Sequence, residues 1–132
     1  MSAFVDSNIL VRHLTGDPPD QAHRATEFLR GGEDLILGDL VVAEVAYVLE
    51  SVYEVDRERV AELVRAIVGF SAVAVPDEVL LLRALELYEQ FRIHFAESYV
   101  AACAELSGVG VVVSFDSDLD RVSTIRRLEP RA

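Results

Sequence analysis

Apolar positions fall in two kinds of segment along this chain, brief continuous runs and longer runs broken by charge at helical spacing. Ala3-Phe4-Val5, Leu35-Ile36-Leu37, Ser71 to Val75 and Val111 to Ser114 read as strands, being short, apolar and bounded by turn formers. Helical patterns lie between them. Ser7 is placed to cap a helix over Asn8 to Leu14 that stops at Gly16, and Pro18 and Pro19 open a second to Leu29, closed by Gly31-Gly32. Asp39 caps a strongly apolar helix to about Tyr53, and Asp56 starts another to about Val68. Pro76 and Asp77 lead into a helix to about Phe91, and Phe95 to Leu106 form the next, ended by Gly108. A short helix over Ser117 to Arg121 and an edge strand at Ser123 to Ile125 finish the pattern. Continuous rather than alternating strands predict burial on both faces. The expected fold class is therefore α/β: a three-layer domain with a central, mainly parallel sheet flanked by helices. At 132 residues and 52% hydrophobic, with no linker or repeat, one domain over residues 1–132 is expected.

Four carboxylates interrupt this pattern. Asp6 follows Ala3-Phe4-Val5, and Asp116 follows Val111 to Phe115, so both end apolar strands. Glu44 and Glu97 lie inside apolar helices. The neighbours three and four residues from Glu44 are Leu40, Val41, Tyr47 and Val48, which predicts that it points toward the core; those of Glu97 are Ile93, His94, Val100 and Ala101. Glu86, by contrast, has Arg83, Glu89 and Gln90 around it, an ordinary solvated face. A buried, unpaired carboxylate costs several kcal/mol. Singly, each acid has an ordinary explanation as a cap, a helix-end charge or an arginine partner, and Asp116 is well placed to cap the helix after it. Jointly, the economical reading is one acidic pocket holding a divalent metal. Ligands of open parallel sheets collect at the carboxyl ends of strands, where neighbouring first and fourth strands would bring Asp6 and Asp116 together.

Charge complicates that reading. The net charge is −11, from 23 acids against 12 bases, which argues against broad attraction to nucleic acid or anionic lipid. All the bases are arginine. GC-rich coding is the ordinary explanation, and selection for bidentate phosphate contacts the alternative. The missing lysine removes two competitors: a phosphotransfer receiver domain and a dehalogenase-type phosphatase both need one, and the second acid that the latter requires is here Asn8. The longest apolar runs, such as Leu40 to Leu49, are about half of the ~20 residues a bilayer span needs, and no secretory signal precedes Asp6. The single cysteine, Cys103, reads as a small core residue and fits a reducing cytoplasm.

Asp6-Ser7-Asn8 after the first strand, Glu44 in an apolar third helix, Phe95 to Ala102, and Ser114-Phe115-Asp116-Ser117-Asp118-Leu119 together resemble the motifs of PIN-domain ribonucleases, above all the VapC-type toxins of prokaryotic toxin-antitoxin pairs. The resemblance runs through nearly the whole chain. It implies that Asp6, Glu44, Glu97 and Asp116 are the catalytic, metal-binding acids, with Asp118 auxiliary. Glu97 departs from the pattern, since that station is most often Asp. Ser7, Asn8 and Ser114 match polar positions beside the site that orient ligands or water. His94 reads as a helix-start residue. The same resemblance implies Mg²⁺ or Mn²⁺ as cofactor, RNA as substrate cut to 5′-phosphate and 3′-hydroxyl ends, a cognate antitoxin as partner and a homodimer. All-oxygen ligation suits such hard cations and not zinc. Arg12, Arg83, Arg92 and Arg121 are candidates for phosphate contact. An RNA-processing PIN nuclease without antitoxin, or a non-catalytic PIN-like binding module, remains the alternative.

Overall fold

The computed structural model describes residues Ser2 to Arg131, which form two compact units, one ending at Glu78 and one beginning at Val79.

In the first unit, strand β1 (Ala3–Phe4) leads through α1 (Ser7–Thr15) and α2 (Pro19–Gly31) to β2 (Leu35–Ile36). Helices α3 (Asp39–Ser51) and α4 (Arg57–Val68) then lead to β3 (Val73–Ala74). The three strands are parallel in the order β1-β2-β3, with Ala3 opposite Leu35 and Leu35 opposite Val73. Helical connections make this order natural, because parallel strands need a long crossover. The core is a set of helical stripes: Leu10 and Val11 from α1, Ala22, Ala25 and Leu29 from α2, Val42, Val45, Ala46 and Leu49 from α3, and Val60, Ala61, Val64 and Ile67 from α4. Helix α1 stops where Gly16 takes a left-handed φ of 72° and its N–H bonds the Arg12 carbonyl.

In the second unit, α5 (Glu78–Phe91) and α6 (Phe95–Ser107) precede β4 (Val111–Val113), a 3₁₀ turn (Ser117–Arg121) and β5 (Arg126–Leu128). β4 and β5 pair in parallel, Val111 opposite Arg126. Tyr88 and Phe95 meet edge to face with centroids 6.0 Å apart, and Leu81, Leu85, Ile93, Ala101 and Val112 are buried with them. The parallel strands and flanking helices bear out the α/β class. Among the described residues no helix is long and apolar enough to cross a membrane.

Three expectations change. The first and fourth strands are not buried on both faces: Val5 and Val112 are buried while Phe4 is 79% exposed and Val113 is also exposed, so those two segments alternate. The last strand lies at Arg126–Leu128 rather than Ser123 to Ile125. The buried Val122 instead accepts the Ile125 N–H in a turn, and Arg127 serves as a strand residue because its guanidinium finds Asp120, Glu129 and the Ser114 carbonyl. Cys103 is only partly buried, since it lies on the side of α6 facing a shallow apolar recess with Val100, Val111 and Val113.

Candidate metal centre

The first unit holds Asp6, Ser7, Asn8 and Glu44. Helix α1 begins one residue earlier than its polar pattern predicts, so Asp6, not Ser7, occupies the cap position; its side chain makes no capping bond. Ser7 is thereby released for another task. Its Oγ donates to Glu44 Oε1, tying the start of α1 to the middle of α3. Glu44 itself is exposed, not turned to the core. The reason is that α3 is apolar all round: the buried stripe runs Val42, Val45, Ala46 and Leu49, while Leu40 (83% exposed) and Tyr47 (66% exposed) share the outer face with Glu44. Asp6 is also exposed, alternating with the buried Val5. The helix-face reading failed because it took apolar neighbours to mean burial.

The second unit brings three acids together. One ligand oxygen each from Glu97, Asp116 and Asp118 lies within 4.8 Å of the others. The local sequence builds this. The Asp116 N–H bonds Ser114 Oγ at 3.0 Å, and Asp116 Oδ1 accepts the Asp118 N–H at 2.9 Å, an Asx-type turn that opens the 3₁₀ segment and aims both carboxylates the same way. So Asp116 does cap the following turn, and this does not remove it from the cluster, because one oxygen suffices for the cap. Glu97 arrives from the first turn of α6, whose cap residue is His94, as expected.

The electrostatics of the three are unequal. Burial above all, then the hydrogen bond with Asp116 and that neighbour's charge, push the Glu97 carboxyl above its ordinary range; His94 opposes this. Asp116 is held below its range, first by the Asp118 backbone N–H and then by the Glu97 hydrogen bond, with His94 and Arg121 adding to the effect. Charge is therefore costlier on Glu97 than on Asp116, as expected where two carboxylates meet and only one of them also accepts a backbone N–H. Its Oε1 is buried without a hydrogen-bond partner. Asp118 is steadied by Arg121 at 3.2 Å. An orphaned carboxylate oxygen among three acids is the donor set that a hard divalent cation satisfies: oxygens about 2.1 Å from Mg²⁺ lie at most about 4.2 Å apart, close to the span seen here.

Residues 3–125 match the family model described as PIN domain. The chain belongs to the PIN domain family. Every acid and polar residue described above lies within the matched stretch. A protein described as VapC ribonuclease from Aquifex aeolicus (strain VF5) is 26% identical over 116 residues, covering 85% of each chain. In this PIN domain the structure groups Glu97, Asp116 and Asp118, three of the acids singled out in the sequence. Arg121 was named there for phosphate contact, not as the partner of Asp118, and Gln21, which accepts from Arg12 Nε, was not named at all; it belongs to an exposed α2 face with Arg24 and Phe28, whose helical spacing was the available signal.

Proposed function

We propose that this PIN domain is a metal-dependent endoribonuclease and the toxin of a toxin-antitoxin pair, with residues 1–132 acting as one domain. The observation that carries the reading is the Glu97, Asp116 and Asp118 cluster, with its raised Glu97 carboxyl and its partnerless buried oxygen. The name of the Aquifex relative and the family match support the choice of RNA hydrolysis over other metal chemistry. Glu97, Asp116 and Asp118 would hold Mg²⁺ or Mn²⁺, and Asp6 and Glu44 are assigned to metal binding by the same family pattern. When bound, such an ion supplies Lewis acidity to the scissile phosphate and activates water for in-line attack.

The protein's own residues set the geometry. Ser7 fixes the Glu44 carboxylate by its hydroxyl bond, and Ser114 fixes Asp116 through the backbone. Asn8, on the first turn of α1, presents an exposed amide beside Ser7. The extra methylene of Glu97 relative to the usual Asp lets a residue rooted on α6 reach Asp116, which keeps the third station within the acidic set. The antitoxin is expected to present a basic side chain to these acids, and a homodimer is expected from the same resemblance.

The decisive measurement is cleavage of RNA by purified protein with Mg²⁺ or Mn²⁺. Activity abolished by chelator and by Asp116→Asn, leaving 5′-phosphate ends, supports the proposal. A 2′,3′-cyclic phosphate product would assign attack to the ribose hydroxyl and overturn it. Growth arrest on expression, relieved by a small neighbouring gene, tests the toxin assignment; expression without harm favours the RNA-processing alternative.

A further inference from the structure

Of the arginines the sequence left as equal candidates for phosphate contact, two are committed elsewhere. Arg83 grips Glu105 with two bonds of 2.6 and 3.0 Å and also bonds Glu86 at 3.1 Å. Arg121 donates to the Arg92 carbonyl at 3.0 Å and pairs with Asp118 at 3.2 Å. Arg12 differs. Its Nε donates to the neutral Gln21 Oε1, which orients the guanidinium without cancelling its charge.

Arg12 lines a groove of about 500 Å³ between α1 and α2, together with Asn8, Gln21, Arg24 and Phe28. Its lining holds two guanidinium groups and no carboxylate, in a chain of net charge −11. Arg24 pairs with Asp20 at 3.8 Å, and both side chains are mostly solvated, so the pairing is weak. Phe28 on the groove wall is 54% exposed, a large ring with an open face. Asn8 and Arg12 are one helical turn apart on the same face of α1, and Asn8 adjoins Ser7, whose hydroxyl holds Glu44. At its Asn8 end the groove lies one residue along the chain from Ser7.

We propose that this groove is the docking track for single-stranded RNA: Arg12 and Arg24 contact successive phosphates, and Phe28 stacks on a base. The proposal rests on the ribonuclease reading and adds to it the residues that seat the substrate away from the reacting phosphate. Two guanidiniums suit phosphate by bidentate geometry, and an aromatic face takes any base. It also offers a way for an acidic protein to hold a polyanion, by placing two weakly compensated cations in one groove while Arg57, Arg59, Arg83, Arg121 and Arg127 pair with carboxylates.

The test is binding of a fluorescein-labelled 12-nucleotide oligouridylate in EDTA, followed by anisotropy at several salt concentrations. Arg12→Gln with Arg24→Gln should weaken binding at least tenfold and reduce the salt slope by about 1.4, the value for two phosphate contacts on a single strand. Phe28→Ala should weaken it about tenfold with the slope unchanged. Arg59→Gln, removing an arginine paired with Glu62 on α4, should change neither. Arg12→Lys with Arg24→Lys should keep the slope, which separates charge from folding. On an RNA that the protein cleaves with metal, the glutamine variants should raise KM and leave kcat intact. Unchanged affinity and slope in the double variant overturn the proposal, as does failure of the wild type to bind the oligonucleotide. Unchanged RNA binding with loss of polyglutamate binding also overturns it and assigns the groove to an acidic protein segment. Arginine-dependent binding without any metal-dependent cleavage upholds the groove and overturns the nuclease reading alone.

Discussion

Helix α6 carries two glutamates two turns apart whose circumstances are opposite. Glu105, near its end, accepts two bonds from the Arg83 guanidinium and a third at 2.6 Å from Thr124, and its carboxyl is held below the ordinary range, chiefly by the Arg83 hydrogen bond. Glu97, near its start, faces Asp116 and Asp118 with one buried oxygen lacking a partner, and its carboxyl is pushed up, chiefly by burial. The same side chain on the same helix is stabilising in one place and costly in the other. A fold that only needed stability would not put three acids together, so the cost at Glu97 points to a ligand that relieves it.

The largest effect expected to sharpen this contrast is on catalysis. Glu97→Gln or Asp116→Asn should lower metal-dependent cleavage by roughly 10³-fold or more, several kcal/mol of lost metal-assisted stabilisation, whereas Glu105→Gln should leave kcat within about threefold. Equal losses in both would erase the distinction between functional and structural acid. Next is metal linkage. Mn²⁺ at about 100 times its Kd should add about 2.7 kcal/mol to the unfolding free energy of the wild type, read from denaturant midpoints, and little to Asp116→Asn. Undiminished stabilisation in Asp116→Asn would remove the cluster from metal binding.

Without metal the ranking should invert. Glu105→Gln should destabilise by about 1 kcal/mol, because it weakens the two charged bonds from Arg83, which keeps Glu86 as a partner. Glu97→Gln should be neutral or stabilising at pH 7. The pH dependence follows the signs of the two shifts. Glu105, with its lowered pKa, contributes stability that is present above the ordinary glutamate range and is lost as pH falls through its folded pKa. Glu97, with its raised pKa, favours the fold below the ordinary range, and that contribution is lost as pH rises through its folded pKa. Acid titration of thermal stability should therefore be shallower in Glu105→Gln than in the wild type, and Glu97→Gln should gain most, relative to the wild type, on the alkaline side of that transition. A smaller effect concerns Ser7→Ala, which frees the Glu44 carboxylate; its metal affinity should fall about 10-fold while the fold stays intact, measured by calorimetry beside a thermal melt.

Much of the frame was legible in the residues. Capping residues, prolines and glycines bounded six helices to within a few positions, since such signals act over a single turn. The strands were found but over-read, because two or three paired residues suffice when helices make the core. Glu44 shows where one-dimensional reading stops. Its neighbours Leu40 and Tyr47 are apolar, yet both stand in solvent, and only the packing of the opposite stripe of α3 decides which face is buried. The arginines show the same limit: Arg12 and Arg83 are alike in sequence, and one is cancelled by Glu105 while the other looks into a groove.

The sequence by itself determined the α/β class, the order of elements, the stations of the acids and the family, because these depend on composition and on spacing along one axis. Tertiary structure alone decided that Asp116 and Asp118 turn together onto Glu97, that Ser7 reaches Glu44 rather than capping its own helix, and that burial raises the Glu97 carboxyl. Those are matters of distance between residues far apart in the chain, and both hydrogen bonding and charge interaction fade within a few ångströms.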